Sequence, residues 1–312
     1  MNRTYYQQPY TSGGSGFREL FRGRSAFSWL FLINLGVFLI LNLIRLSDFL
    51  FTDPQGSVTE SPVSEAARWL AVPASLQELL YRPWTVISYM FTHEGLLHLF
   101  FNLLVLYFGG KIFMEFLGGR KLTWTYLLGG ISGAVFYIAA FNIFPVFSQV
   151  VDQSVALGAS ASVLAVLVAV ATFMPNYSVT LFFMGRVRLK YIAIILVAVD
   201  LLSIEKSNPG GHIAHLGGAF WGFVYILFLK KGTDLSAVFS RAGQWIAKVF
   251  KPRPKIRVTY SKRPLSDDEY NHQKAERQKK IDAILDKISA TGYESLSREE
   301  KELLFKSSKE GF

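Results

Sequence analysis

The sequence predicts an all-α membrane protein, a bundle of six transmembrane helices between a polar lead and a polar tail. Three observations carry this. Of 312 residues, 51% are apolar, with Phe 27 and Trp 6, and the mean hydropathy is +0.28. The apolar residues gather into long runs that charges hardly interrupt, where a water-soluble helix would show polar residues at helical period. Basic residues also alternate from one connection to the next, as membrane orientation demands.

Charge and cysteine usage narrow the class further. A formal net charge of +10 would alone suggest a nucleic-acid partner, but Lys and Arg sit beside or after the apolar runs. Membrane orientation accounts for them, and the lipid bilayer rather than nucleic acid is the expected partner. The absence of Cys excludes disulfides and thiolate metal sites.

Residues 1–25 form a basic, Gly- and Ser-bearing cytoplasmic lead (Arg3, Arg18, Arg22, Arg24). The first run, Ala26 to Ile44, is too long for a signal-peptide core and no small-x-small cleavage site follows it, so it reads as a transmembrane helix. The connection 45–93 is acidic early (Asp48, Asp53, Glu60, Glu65) and aromatic later (Tyr81, Trp84, Tyr89, Phe91). Such a mixed loop is expected to lie at the membrane interface, where Trp and Tyr rings settle. Five more runs follow at 95–117, 122–147, 155–174, 188–204 and 212–229.

Lys and Arg orient the bundle. Besides the four in the lead, one set of connections holds Lys111, Arg120 and Lys121, then Arg186, Arg188 and Lys190, then Lys230 and Lys231. The alternate connections are poor in them: Arg45, Arg68 and Arg82 amid acids, none in 148–154, and Lys206 alone in 205–211. Both termini are therefore expected in the cytoplasm, with six spans in the inner membrane. The expected division is a lead 1–25, a membrane domain 26–232 and a cytoplasmic tail 233–312.

Polar residues inside three of the runs share one depth. The second, fourth and sixth runs go from outside to inside, and His98, Asn102, Ser160 and His215 lie within their first two turns, roughly 5–12 Å below the surface. Buried polar groups are costly in hydrocarbon, so four at one level imply a shared water-accessible cavity. Ser160 stands in Ala156-Leu157-Gly158-Ala159-Ser160-Ala161-Ser162, where small neighbours let another helix come close. Gly218 and Gly222 lie three and seven residues after His215, on its face of the sixth helix, and mark a packing seam.

This set suits acyl transfer. A serine hydroxyl becomes a nucleophile when a positioned base takes its proton, and His215 is the natural base. Asn102, His98 and the Ser160 backbone N–H are donors of the kind that hold a developing oxyanion. No third acid is obvious: Asp200, near the outer end of the fifth helix, reads as an interfacial carboxylate outside the site rather than a gate or substrate contact. Ser162, about 200° around the helix from Ser160, is expected to hydrogen-bond a backbone carbonyl.

On these residues the chain resembles the rhomboid family of intramembrane serine proteases over roughly 80–229. The shared motifs are His-x3-Asn (His98, Asn102), Gly-x-Ser (Gly158, Ser160) and Ala-His-x2-Gly-x3-Gly (Ala214, His215, Gly218, Gly222). Arg82-Pro83-Trp84 and His93 also look like the end of the family's first loop and the start of its second helix. The resemblance implies a serine endopeptidase without cofactor, acting on transmembrane proteins whose helix unwinds easily, with the fifth helix and its neighbouring loop admitting substrate. Two positions depart from the pattern. Ala161 replaces the family's usual Gly, a methyl expected to crowd the backbone near the oxyanion. Gly110 is followed at the usual Glu position by Met114, with Glu115 one later.

Two other classes fit less well. Four of the five histidines (His93, His98, His212, His215) lie toward the outer ends of helices, and His93-Glu94-Gly95-Leu96-Leu97-His98 looks like a zinc-protease helix, but its histidines are five apart, about 140° off one face, so no metal site is expected. A proteolytically inactive rhomboid relative that binds or escorts membrane proteins would typically lack the serine or the histidine.

The tail is a separate module. Apolar residues from 235 to 249 trace one stripe, an expected interfacial helix over Asp234 to Phe250. Residues 251–263 are basic and Pro-containing. Ser266-x2-Glu269 and Ser297-x2-Glu300 resemble capping boxes opening two further helices, with Ile281, Ile284, Leu285 and Ile288 as an apolar stripe. This resembles a small helical tail found on some bacterial rhomboids, either a docking module or a solvated appendage.

Overall fold

A computed structural model describes residues 25–51, 63–181, 185–240 and 266–310. In chain order the first unit contains helix α1 (Ala26–Phe51), α2 (Glu65–Arg68), strand β1 (Val72–Pro73), α3 (Leu76–Tyr81), α4 (Thr85–Ser88), α5 (Leu96–Leu117), α6 (Gly119–Ile143), β2 (Val155–Ala156), α7 (Ser160–Phe173), the hairpin β3 (Ser178–Leu181) and β4 (Gly185–Arg188), α8 (Leu189–Ser203) and α9 (Pro209–Lys230). The second contains α10 (Asp267–Thr291) and α11 (Arg298–Glu310). The two compact units divide between Phe250 and Lys251.

The six apolar runs become α1, α5, α6, α7, α8 and α9. Four of them, α1, α5, α6 and α9, are long and apolar enough to cross a membrane. α7 has 14 residues, about 21 Å against a hydrocarbon thickness of about 30 Å. It is also the helix the others surround: every residue from Ala161 to Ala171 is buried. A helix apolar on all faces is stable only where all faces meet other protein or lipid, and here they meet protein.

Glycine makes that close approach possible. A side chain on Gly218 would collide with the carbonyl oxygen of Ala161, and one on Gly222 with that of Ala165. On α6, Gly129 faces the Ala165 methyl, and Gly217 of α9 accepts a hydrogen bond from Ser132 of α6 through its carbonyl (2.7 Å). Backbones at van der Waals contact gain dispersion along the whole seam, the main attraction between helices in lipid. Gly218 and Gly222 leave room for the α7 backbone at Ala161 and Ala165.

Within the connection expected as an interfacial loop, residues 45–51 continue α1 and the described residues 63–93 form short pieces. Ser64 caps α2, its hydroxyl accepting from the Ala67 N–H. Arg82 pairs with Glu78, donates to the Arg68 carbonyl (2.9 Å) and lies over the Trp69 ring, which stacks on Trp84 at 6.4 Å. The antiparallel pair β1–β2 sets Val72 opposite Ala156 and Pro73 opposite Val155, tying this connection to the approach to α7. Runs of three to six residues are too short for periodicity to reveal, so the sequence showed only their mixed character.

α8 is peripheral. Ile194, Ile195, Val199, Leu201 and Leu202 are exposed. An open apolar cavity of about 770 Å³ separates part of α8 from α7 and α9, lined by Val197, Leu201, Leu216 and Phe220 among others.

In the second unit both expected capping boxes form: Ser266 and Glu269 exchange side chain to backbone bonds, as do Ser297 and Glu300. Of the expected stripe, Ile281 and Ile284 are buried while Leu285 is exposed. The interfacial helix expected over Asp234 to Phe250 lies largely outside the described residues, of which 235–240 are helical.

Candidate active site

Ser160 is the first residue of α7, and the local chain explains its position. Gly158 has φ +124°, a backbone conformation open to glycine, which turns the strand β2 sharply into the helix. Two hydrogen bonds anchor this turn to the end of the preceding connection: Gly158 N–H donates to the Tyr89 carbonyl (2.9 Å) and Ala159 N–H to His93 Nε2 (3.3 Å). Since Nε2 accepts, His93 carries its proton on Nδ1, and burial pushes its pKa down to about 4.

The hydroxyl of Ser160 donates to His215 Nε2 at 2.6 Å. The Gly218 and Gly222 seam, which sets α9 against α7, brings the two side chains to that distance. The imidazole is oriented in turn, because His215 Nδ1–H donates to Asp200 Oδ1 at 2.8 Å. Asp200 is buried, 7% exposed. The expectation that no third acid exists and that Asp200 is an interfacial carboxylate is therefore corrected: the carboxylate lies behind the base. A carboxylate there fixes the tautomer that leaves Nε2 free to accept a proton.

His212, one turn before His215, donates through Nδ1 to the same Asp200 oxygen, also at 2.8 Å. The two imidazoles and the carboxylate form a cluster whose nearest ligand atoms all lie within 4.8 Å of one another. The sequence places His212 and His215 near one helix end with His93 and His98, but leaves Asp200 out.

His98 packs its ring against Gly158. A Cβ built on Gly158 would lie 2.7 Å from His98 Cε1 and 3.7 Å from Ser160 Oγ, so imidazole and hydroxyl flank the same glycine. Asn102 is buried on the same face of α5, and its amide donates to the His98 carbonyl at 2.9 Å. That bond engages one of the two amide protons and leaves the other to give. Asn102 makes no hydrogen bond to Ser160 among the described residues.

The helix end supplies further donors. Ala159, the N-cap of α7, offers no side chain to the first turn. The first backbone N–H groups of a helix have no partner within it, and here they stand beside the serine hydroxyl with the positive end of the helix dipole.

Two serine-flanking expectations change. The Ala161 methyl points at α6, where a Cβ on Gly133 would come 2.7 Å from it, so Gly133 accommodates the extra carbon on the side of α6. Ser162 Oγ is buried and has no hydrogen-bond partner among the described residues, packed instead against Gly130. It does not bond a backbone carbonyl as expected.

Comparison with known proteins places this geometry in a family. Residues 81–232 match the Rhomboid domain, and residues 266–310 match a family of unknown function, DUF6576. The chain is 28% identical over 157 residues to "RHOMBOID-like protein 12, mitochondrial" of Arabidopsis thaliana, covering 47% of this chain and 47% of that protein. It is 30% identical over 144 residues to "Presenilin-associated rhomboid-like protein A, mitochondrial" of Danio rerio, covering 44% and 35%. The chain thus spans about half or less of the length of these curated relatives. The Rhomboid match covers the stretch that holds His98, Asn102, Ser160, Asp200 and His215, and residues 81–232 form a Rhomboid domain within this membrane protein.

Proposed function

We propose that this protein is an intramembrane serine endopeptidase that cleaves transmembrane segments of membrane proteins. The observation that carries the proposal is the 2.6 Å hydrogen bond from Ser160 Oγ to His215 Nε2. His215 takes the hydroxyl proton as Ser160 Oγ attacks the substrate carbonyl, then returns it to the leaving amine, so an acyl-enzyme forms and water later releases it. Asp200 is a positioning residue: it holds Nδ1–H and stabilises the imidazolium. Asn102, His98 and the free N–H groups opening α7 are the donors for the oxyanion.

The substrate class follows from geometry and solvent. A protease attacks an extended peptide, and a transmembrane helix with helix-breaking residues near its end exposes one at least cost. The six-span topology with both termini cytoplasmic is the arrangement that the basic connections support. The reading needs no cofactor.

A serine-directed fluorophosphonate tests the site on the full chain in detergent. Native protein and Ser162→Ala are expected to label, Ser160→Ala not. Labelling lost in Ser162→Ala and kept in Ser160→Ala would overturn the assignment. Native protein that never labels yet binds a transmembrane peptide would place it with the inactive relatives that escort membrane proteins.

A further inference from the structure

We infer that Asp200, His212 and His215 form an inhibitory site for a divalent transition metal of the zinc class, whose occupation disarms Ser160. The inference rests on the protease reading only for its consequence; the binding itself follows from the cluster.

Two imidazoles and one carboxylate are the donors that borderline-soft cations such as Zn²⁺ prefer. Their spacing is close to what such an ion requires. Bonds of about 2.0–2.1 Å at tetrahedral angles put ligand atoms roughly 3.4 Å apart. Asp200 Oδ1 already lies 2.8 Å from each Nδ1, and all the ligand atoms are within 4.8 Å. Small side-chain rotations on α8 and α9 suffice. Access is open as well, since the side chains of His212 and His215 are 19% and 25% exposed against 10% for Asp200.

The consequence for the serine comes from proton bookkeeping on one ring. Without metal, each Nδ1 carries its proton and points it at Asp200. The metal forms bonds to both Nδ1 lone pairs and to the carboxylate oxygen and sheds bound waters in exchange. Each neutral imidazole keeps one proton, which must now reside on Nε2, so no net proton is released. His215 Nε2 then donates to Ser160 Oγ instead of accepting from it. The base is gone although no catalytic side chain has been removed, and the site falls silent while the metal stays.

His212 makes the inference separable from the protease reading, because it touches the cluster but not Ser160. The experiment uses the full chain in detergent, with Zn²⁺ and a chelator for the rate of fluorophosphonate labelling, and Co²⁺ for visible absorption as the direct binding signal. Expected for native protein is a more than tenfold slower labelling with Zn²⁺, restored by chelator. His212→Ala, compared with its own metal-free labelling rate, should need at least tenfold more Zn²⁺ for the same fractional slowing. His212→Gln, which keeps a hydrogen-bonding side chain, guards against misfolding and should behave alike. Ser160→Ala cannot label but should still give the Co²⁺ spectrum, which Asp200→Asn should weaken. Equal Zn²⁺ sensitivity in native and both His212 variants, or no Co²⁺ signal that depends on Asp200, would overturn the site. A Co²⁺ signal in a native protein that never labels would leave the metal site standing and remove the protease reading.

Discussion

Replacing Asp200 separates the role of the acid from that of the base. In Asp200→Ala, His215 keeps its contact with Ser160 but loses the carboxylate 2.8 Å from Nδ1. A hydrogen bond to a charged group is worth about 1.5–3 kcal/mol net, and Asp200 is nearly sequestered from water, so little of this is lost to screening. If that bond strengthens as the imidazolium forms, the barrier rises by about the same amount, a roughly 10- to 150-fold slower reaction. Asp200→Asn should be worse than Asp200→Ala, because an amide N–H aimed at Nδ1 drives the ring proton onto Nε2 and removes the base. The assay is cleavage of a helix-destabilised transmembrane substrate in liposomes, with kcat and KM separated. A positioning residue lowers kcat and leaves KM near native. Asp200→Ala within twofold of native would refute the argument and return the site to a two-residue mechanism.

Further expectations follow from the same geometry. His215→Ala should reduce cleavage to background, since a serine of ordinary pKa has almost no alkoxide near neutral pH. Asn102→Ala and His98→Ala should each keep slow, measurable cleavage, lower by roughly 10²–10³ if they act as oxyanion donors; background activity in both would show that they do more. Gly218→Ala drives a methyl into the Ala161 carbonyl, which should lower stability by about 1–3 kcal/mol and part Ser160 from His215, read as a lower thermal midpoint together with lost labelling. His93 stays neutral down to about pH 4 in the folded protein while an unfolded histidine protonates near 6.5. The unfolded chain therefore binds more protons between these values, so stability should be full above pH 6.5 and fall as pH drops toward 4, by at most about 3 kcal/mol. Thermal midpoints against pH should show this slope in native protein and a shallower one in His93→Gln.

The parts of the site that the sequence made legible are those within one helix. Residues at spacings of three, four and seven share a face, so His98 with Asn102, and His215 with Gly218 and Gly222, could be placed from periodicity alone. Asp200 could not, because its relation to His215 depends on the rotation and height of α8 against α9, which no periodicity within either helix contains. One signal was available: an ionisable residue in an otherwise apolar run is costly unless partnered, and Asp200 is such a residue. Ala161 was hidden in the same way, since the space for its methyl comes from Gly133 on another helix. The hairpin β3–β4 and the short helices of 63–91 were missed for want of length.

The three groups of the proposed site divide into a fixed pair and a removable third. Ser160 and His215 ride on α7 and α9, whose backbones meet at Gly218 and Gly222 with no room to slide. Asp200 rides on α8, which borders an open cavity and turns several large apolar side chains outward. A displacement of α8 would carry the acid away from the imidazole and leave the serine bond in place. On the protease reading, the site is armed according to the position of one peripheral helix, and a chain that reached Ser160 by pushing α8 aside would meet a weakened base until α8 came back.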